Sequence, residues 1–537
     1  MYRKLAVAFS IANLCFFKAW RELLSPQTPA RLYFWKQYPN YAAALALVID
    51  VFLLTVVFYF GFNLLSRVSK NFARLAFLLI FLRALNGVRI QFEVLTTNHL
   101  RSLFGGAGFF AIGLALLLVL LLVVWRYGLP RVARSAAVLA LILAPFGLIG
   151  ATQVSWLTIK YRNYWNDQPP APLLATSISD RPRVVWIIFD EMSEDVAFVN
   201  RPTSLSMPNF DRLRAEAFQA SNAFPPAGHT VQSMPALLTG RLIASVQPAA
   251  PNELLLTYPD KAGTVTWSNE PDIFSRLRSA GLNSSLVGWF HPYCRMEGNR
   301  LTSCFWQPSG LFGDPERSSL SKNLLRQQAD ALALAPFTES LRKRMSPGKS
   351  DDYRTPHRAV YEAVIESATK AVADPNVSLS FIHLPVPHPP YIYDRQIGSW
   401  DTQAERQYLD NLALADRTLG DLRSAMERAG LWESTVIVIS SDHWWRTDLW
   451  RARKDFWSAA DAVNQGTKPD HRVPFIIRLP GQKRTLTYEP AFNTVLTHDL
   501  ILELLNKRLA KPEEISDWID HHKTIGESPY QSYDDPQ

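Results

Sequence analysis

Four stretches of the chain end in oxygen and imidazole groups. VVWIIFDE closes on Asp190 and Glu191, and AGHTVQSMPALLTGR holds His229, Thr230 and Ser233. HLPVPHPPY holds His383 and His388, and VIVISSDH closes on Asp442 and His443. Carboxylates and imidazoles together suit a divalent cation such as Zn²⁺ or Mn²⁺. A cation bound beside a hydroxyl lowers its pKa, which would make Thr230 or Ser233 a nucleophile at neutral pH. Each stretch alone is a weak sign, since an acid at a strand end also serves as a helix cap. Four in one chain converge on one site.

The stretches fall at or near the ends of short β-branched runs, where open α/β sheets place their sites. The pattern predicts strands over 184–189, 285–288, 379–384, 435–439 and 473–479. Helices are expected over 207–218, 273–280, 355–373 and 404–429. Strands separated by helices imply a mostly parallel sheet covered on both faces. Residues 310–350 are polar and mixed, an insertion to which the pattern assigns no role. Residues 166–182, rich in Pro and Ser, read as a linker.

Ahead of the linker the chain changes character. Residues 1–165 carry 17 Lys/Arg against Glu22, Asp50 and Glu93, a balance of +14, and the remainder carries −6. This split excludes a soluble single-domain protein, a disordered chain, and a nucleic-acid binder recognised by its basic pI. Stretches 41–65, 104–125 and 136–154 are long and apolar enough for a bilayer core about 30 Å thick. Stretches 5–20 and 75–90 are weaker candidates, containing Lys18, Arg83 and Arg89. Residues 1–165 are thus expected to form a polytopic α-helical membrane domain of about five spans. The alternative for 5–20 is a cleaved signal peptide, but the small-residue cleavage site is missing. Basic residues divide between both sets of loops, so charge does not choose an orientation. An odd number of spans would put everything after Lys160 outside the cytoplasm. Cys294 and Cys304, ten residues apart, would form a disulfide in an oxidising compartment or remain two buried thiols. Two cysteines alone do not make a zinc site.

The order of motifs resembles the alkaline phosphatase/sulfatase superfamily over about residues 183–507. That order is a strand ending in Asp190, then MPNFDRL, then Thr230 ten residues before Gly240 in LLTGR, then Ser-Asp442-His443. Apolar spans followed by such a domain resemble the lipid A phosphoethanolamine transferases and lipoteichoic acid synthases. The resemblance implies an alkaline-phosphatase-like α/β catalytic domain over 183–510, followed by a tail over 511–537. It implies a divalent metal held by Asp190, Thr230, Asp442 and His443, with Thr230 as nucleophile. It also implies that His388 in HPPY and His291 in GWFHPYC contact the transferred group. Glu191, and His471 three residues before Pro474, are lesser candidates. His229, His383 and Ser233 read as supporting neighbours.

Several positions depart from the superfamily's patterns. The membrane transferases usually carry Glu where this chain has Asp190. Gln232 and Met234 replace the Pro and Arg that direct formylglycine formation in sulfatases, and Trp289 replaces a sulfatase lysine. Trp444 and Trp445 stand where a glycine is usual. With Trp450 they either stack on a sugar ring or pack internally.

The function implied is a membrane-anchored, metal-dependent transfer through a phosphothreonine intermediate. It would move a phospho-substituent from a membrane phospholipid to a cell-envelope glycan or glycolipid. The expected setting is a bacterial inner (plasma) membrane, with the catalytic domain on the periplasmic or extracellular side and no nucleic-acid partner. The alternatives are a metal-dependent phosphodiesterase or sulfatase-like hydrolase on the same fold, and a non-catalytic envelope protein that binds glycans.

Overall fold

The computed structural model describes residues 2–25, 32–35, 41–92, 95–163, 165–174, 183–260, 263–309, 319–333, 338–345, 353–400, 406–466 and 470–530. The second half of the expected linker (175–182), parts of the 310–350 insertion and the end of the tail (531–537) lie outside the described residues. The chain divides into two compact units.

The first unit is helical. Its helices are α1 (Tyr2–Cys15), α2 (Phe17–Leu24), α3 (Tyr41–Val68), α4 (Lys70–Arg89), α5 (Thr97–Tyr127), α6 (Leu129–Leu143) and α7 (Pro145–Tyr161). Among the described residues four stretches are long and apolar enough to cross a membrane: α3, α4, His99–Tyr127 of α5, and Leu129–Lys160, which joins α6 and α7. The expected first span is a 14-residue and an 8-residue helix on either side of Phe16. In α5 the most apolar window is wholly unburied, with Phe110 72% and Leu116 66% exposed. A helix apolar all round and packed against so little needs lipid rather than water around it.

The second unit carries an eight-stranded sheet. Its strands are β1 (Arg183–Asp190), β2 (Phe218–Ala220), β3 (Ser284–Trp289), β4 (Ser303–Gln307), β5 (Leu379–Pro387), β6 (Thr435–Ser441), β7 (Phe475–Arg478) and β8 (Leu486–Tyr488). They lie in the order β8-β2-β7-β6-β1-β5-β3-β4. Every pairing is parallel except those of β7 with β6 and β2. All eight residues of β1 are buried. Val184, Trp186 and Ile188 enter one core while Val185, Ile187 and Phe189 enter the other, as the two-residue period of a strand requires. Helices α10 (Arg354–Val372) and α11 (Tyr408–Arg428) cover the second core. Helices α8 (Thr230–Thr239) and α12 (Thr497–Leu505) cover the first.

Two segments depart from the expected division at 165 and 183. Gln27–Lys36, between α2 and α3, groups with the sheet unit, and Tyr33 is fully buried in its core. Pro315–Asp352, from the polar insertion, groups with the helical unit. There α9 (Leu320–Leu332) uses its polar side chains on the helices. Gln327 Nε2 donates to the Ala43 carbonyl at 2.9 Å, and Lys18 pairs with Asp330 at 3.3 Å. No local pattern discloses that target, which explains why the insertion is opaque in sequence.

Candidate active site

Sheet topology brings the acids together. The β1–β6 register pairs Phe189 with Ser441, so Asp190 and Asp442 leave adjacent strands side by side. Ser441 ties these ends: its oxygen accepts the Met192 N–H at 2.8 Å and lies 2.6 Å from the Phe189 carbonyl. The Glu191 N–H and the His443 N–H both donate to Asp442 Oδ1, at 3.1 and 2.9 Å. On the other side β5 sets His383 opposite Ile188. Glu191 turns the chain out of β1 with a left-handed φ of 68°, an uncommon conformation for a non-glycine residue.

Thr230 is the first residue of α8, after His229 at the N-cap. Its Oγ1 lies 3.3 Å from Asp190 Oδ2 and 3.2 Å from His443 Nε2. The N-terminal end of the α8 dipole favours negative charge at that oxygen. His443 Nδ1 donates to the Trp444 carbonyl at 3.0 Å, which leaves the Nε2 lone pair facing the acids. His443 Nε2 is 3.4 Å from Asp442 Oδ2 and 3.6 Å from Asp190 Oδ1.

Among the described residues two groups could hold a metal ion: Asp190, Asp442 and His443, and Asp190, Glu191 and His388. The donor set fits a divalent cation. Asp190 Oδ1, Glu191 Oε2, His383 Nε2 and Asp442 Oδ2 are buried without a hydrogen-bond partner, an expensive arrangement unless a cation faces them. Three carboxylates stand against one buried guanidinium, that of Arg446. Burial drives the Asp190 carboxyl well above its ordinary value, with Glu191 adding to the effect, and raises Asp442 to about 8. Burial likewise lowers His383 to about 4 and His443 well below its usual range, keeping both imidazoles neutral. Neutral imidazoles and displaced carboxyl protons are what metal ligation requires.

The remaining candidates occupy distinct places. His291 donates from Nε2 to the Thr230 carbonyl at 3.1 Å and accepts the Tyr33 hydroxyl at Nδ1, at 2.8 Å. Both ring nitrogens are thereby engaged in buttressing Thr230. His388 Nε2 is 3.8 Å from Glu191 Oε2 and 3.5 Å from the Arg446 guanidinium. Glu191 Oε1 accepts the Arg446 backbone N–H at 2.8 Å, its Nε–H at 3.2 Å and the Trp450 indole N–H at 2.6 Å. His471 stands apart from both metal-ligand groups: it pairs with Glu527 and lies against the Trp444 ring. Ser233 donates to the Ala227 carbonyl at 2.8 Å. Trp444, Trp445 and Trp450 are all buried, Trp445 stacked on Tyr408 at 4.1 Å, so they pack inside the domain. Cys294, next to Tyr293, is joined by a disulfide to Cys304 in β4.

Sequence reasoning overlooks Arg446, Tyr293 and Tyr33. Arg446 carries a signal, a cation four residues after Asp442. Tyr33 carries none, lying 258 residues from its partner.

The sulfatase family matches residues 182–506, and the chain belongs to that family. Its fold is that of the alkaline phosphatase/sulfatase superfamily. The domain is also similar to solved structures at low identity. A sulfatase from Pseudoalteromonas sp. is 16% identical, with 62% of this chain and 69% of that one covered at a TM-score of 0.40. The phosphonate monoester hydrolase of Agrobacterium radiobacter is 15% identical, covering 61% and 74% at 0.36. Murine ectonucleotide pyrophosphatase/phosphodiesterase 5 is 12% identical, covering 63% and 99% at 0.35. No curated protein sequence matches the chain.

Proposed function

We propose that this protein is a membrane-anchored phosphotransferase that moves a phospho-substituent from a membrane phospholipid to a cell-envelope glycan or glycolipid. One observation carries the reading: a buried threonine hydroxyl at a helix N-terminus, within 3.3 Å of both Asp190 and His443. Thr230 Oγ1 attacks the donor phosphorus, its proton passing to Asp190 Oδ2. The bond from phosphorus to the diacylglycerol oxygen breaks, that oxygen takes the proton, and a phosphothreonine ester remains. An acceptor hydroxyl then attacks the phosphorus and Thr230 leaves with the acceptor's proton. Asp190, Asp442 and His443 would hold a divalent cation, zinc or manganese, which would supply positive charge beside the Thr230 hydroxyl. His388, held beside Arg446, meets the equatorial oxygens.

The four membrane-length helices support a lipid donor, since an anchor keeps the site at high effective concentration of lipid. The Cys294–Cys304 disulfide supports an oxidising compartment, the periplasmic or outer side of a bacterial inner membrane. The second reading, a phosphodiesterase or sulfatase-like hydrolase with water as acceptor, is supported by the same family match. Product analysis with and without a sugar acceptor separates the two.

The deciding experiment is mass spectrometry of the Thr230 peptide after brief exposure of the purified protein to a phospholipid mixture. A mass shift on Thr230 that disappears in Asp442→Ala supports covalent transfer, and its size identifies the donor group. A metal-loaded protein with no adduct under any quench speaks against the transfer. No adduct and no metal sinks the enzyme reading.

A further inference from the structure

The two donor groups that could hold a metal ion share Asp190, so among the described residues the site has places for two cations. The second place, between Asp190, Glu191 and His388, is already met by a cation of the chain's own. Arg446 Nε lies 3.2 Å from Glu191 Oε1. His388 Nδ1 donates to the Pro389 carbonyl, so the lone pair on its Nε2 faces the Arg446 guanidinium, at 3.5 Å. That same nitrogen stands 3.8 Å from Glu191 Oε2, which is buried without a hydrogen-bond partner. The guanidinium is 9% exposed and packs over the Trp450 ring at 5.6 Å.

We infer that Arg446 takes the place of a second metal ion, so that the site holds one divalent cation, between Asp190, Asp442 and His443. Charge decides it. Arg446 and one divalent cation balance the buried carboxylates of Asp190, Glu191 and Asp442. A second divalent cation would leave a buried surplus of positive charge, beside a guanidinium that already faces one of its ligands. An arginine cannot shed its proton to relieve that repulsion. Once the guanidinium is removed, Glu191 Oε2, His388 Nε2 and Asp190 are open to an ion. The inference rests on the site holding a metal, and it stands whether the protein transfers or hydrolyses.

The full-length protein, purified in detergent and stripped with chelator, would be titrated separately with Zn²⁺ and Mn²⁺. Bound ions would be counted by native mass spectrometry, and electron paramagnetic resonance would show whether any two Mn²⁺ ions are spin-coupled neighbours. The unsubstituted protein should hold one ion, with the spectrum of an isolated Mn²⁺. Arg446→Met, which removes the charge, should hold two coupled ions, and Arg446→Lys, which keeps it, should return to one. His388→Asn should keep its ion and Asp442→Asn should lose it. Two coupled ions, or none, in the unsubstituted protein overturn the inference, as does a folded Arg446→Met that stays at one. Where Arg446→Met fails to fold, His388→Asn decides, since loss of its ion would put the metal where Arg446 is assigned. A missing Thr230 adduct leaves these counts untouched, so the transfer reading and this one fail separately.

Discussion

The phenol oxygen of Tyr293 stands 3.0 Å from Nδ1 of His383, which sets the opposite nitrogen, Nε2, 3.6 Å from Asp190 Oδ2. In the tautomer that carries its proton on Nδ1, His383 donates to Tyr293 and presents a lone pair beside the acids. Such outer contacts tune metal affinity by about 10- to 100-fold. Tyr293→Phe, which keeps the ring, should therefore weaken divalent-metal affinity about tenfold while the protein stays folded. Chelator competition on the purified protein measures it. Unchanged affinity would remove His383 from the metal's surroundings.

The acids also predict a pH dependence. Asp442, raised by burial from 3.8 to about 8 in metal-free protein, keeps a proton that the unfolded chain releases. Its stabilisation is complete below about pH 4 and is lost as pH climbs through about 8. His383, lowered to about 4, acts oppositely and only below its unfolded value of about 6.5. Between about pH 7 and 9 that histidine no longer contributes, and comparison with Asp442→Asn separates Asp442 from Glu194, which burial also raises to about 8. In chelator, Asp442→Asn should gain on the unsubstituted protein across that window, by about 2 °C in Tm. Added metal should reverse the order. A parallel pair of Tm curves in chelator would falsify the burial argument.

Glu191 forms a buried pair with Arg446 and also accepts the Trp450 indole N–H. Glu191→Ala leaves a buried guanidinium short of its counter-ion and should cost about 3 kcal/mol. Trp450→Phe removes one hydrogen bond to the same carboxylate and should cost about 1 kcal/mol. Chaotrope unfolding in detergent compares them. Equal losses would place the energy in the tryptophan's packing instead.

The Cys294–Cys304 disulfide spans a sequence separation of ten. Closing so short a loop removes about 3 kcal/mol of unfolded-state entropy. Cys304→Ser should lower Tm without reductant, and reductant should lower the unsubstituted protein to the same value. A Tm indifferent to reductant would show that the bridge does not stabilise the domain.

How much can be read from sequence follows from the range of each interaction. Asp190, Asp442 and His443 are visible because each closes an apolar β-branched run, and parallel pairing turns such ends into neighbours. The helix bearing Thr230 escapes the pattern, since Pro235 inside it reads as a breaker. Strands β2 and β8 are three residues each, too short to show alternation. His291 is expected at the substrate, but its nitrogens serve Thr230 and Tyr33. Tyr33 lies in a short described stretch (32–35) between α2 and α3, where no periodicity ties it to the sheet unit.

The chain passes between its two units after residues 26, 36, 163, 314 and 352. Synthesis runs from the N-terminus, so α9, a wall of the helical unit, leaves the ribosome only after β1 to β4 have emerged. The helical unit therefore cannot gain its contacts with α9 until most of the sheet strands have been made. Each unit includes a segment from outside its main stretch of sequence. A fragment beginning at residue 183 would lose Tyr33 and leave Nδ1 of His291 without its donor. Excising residues 27–36 would therefore remove part of the sheet unit, and excising residues 315–352 part of the helical unit.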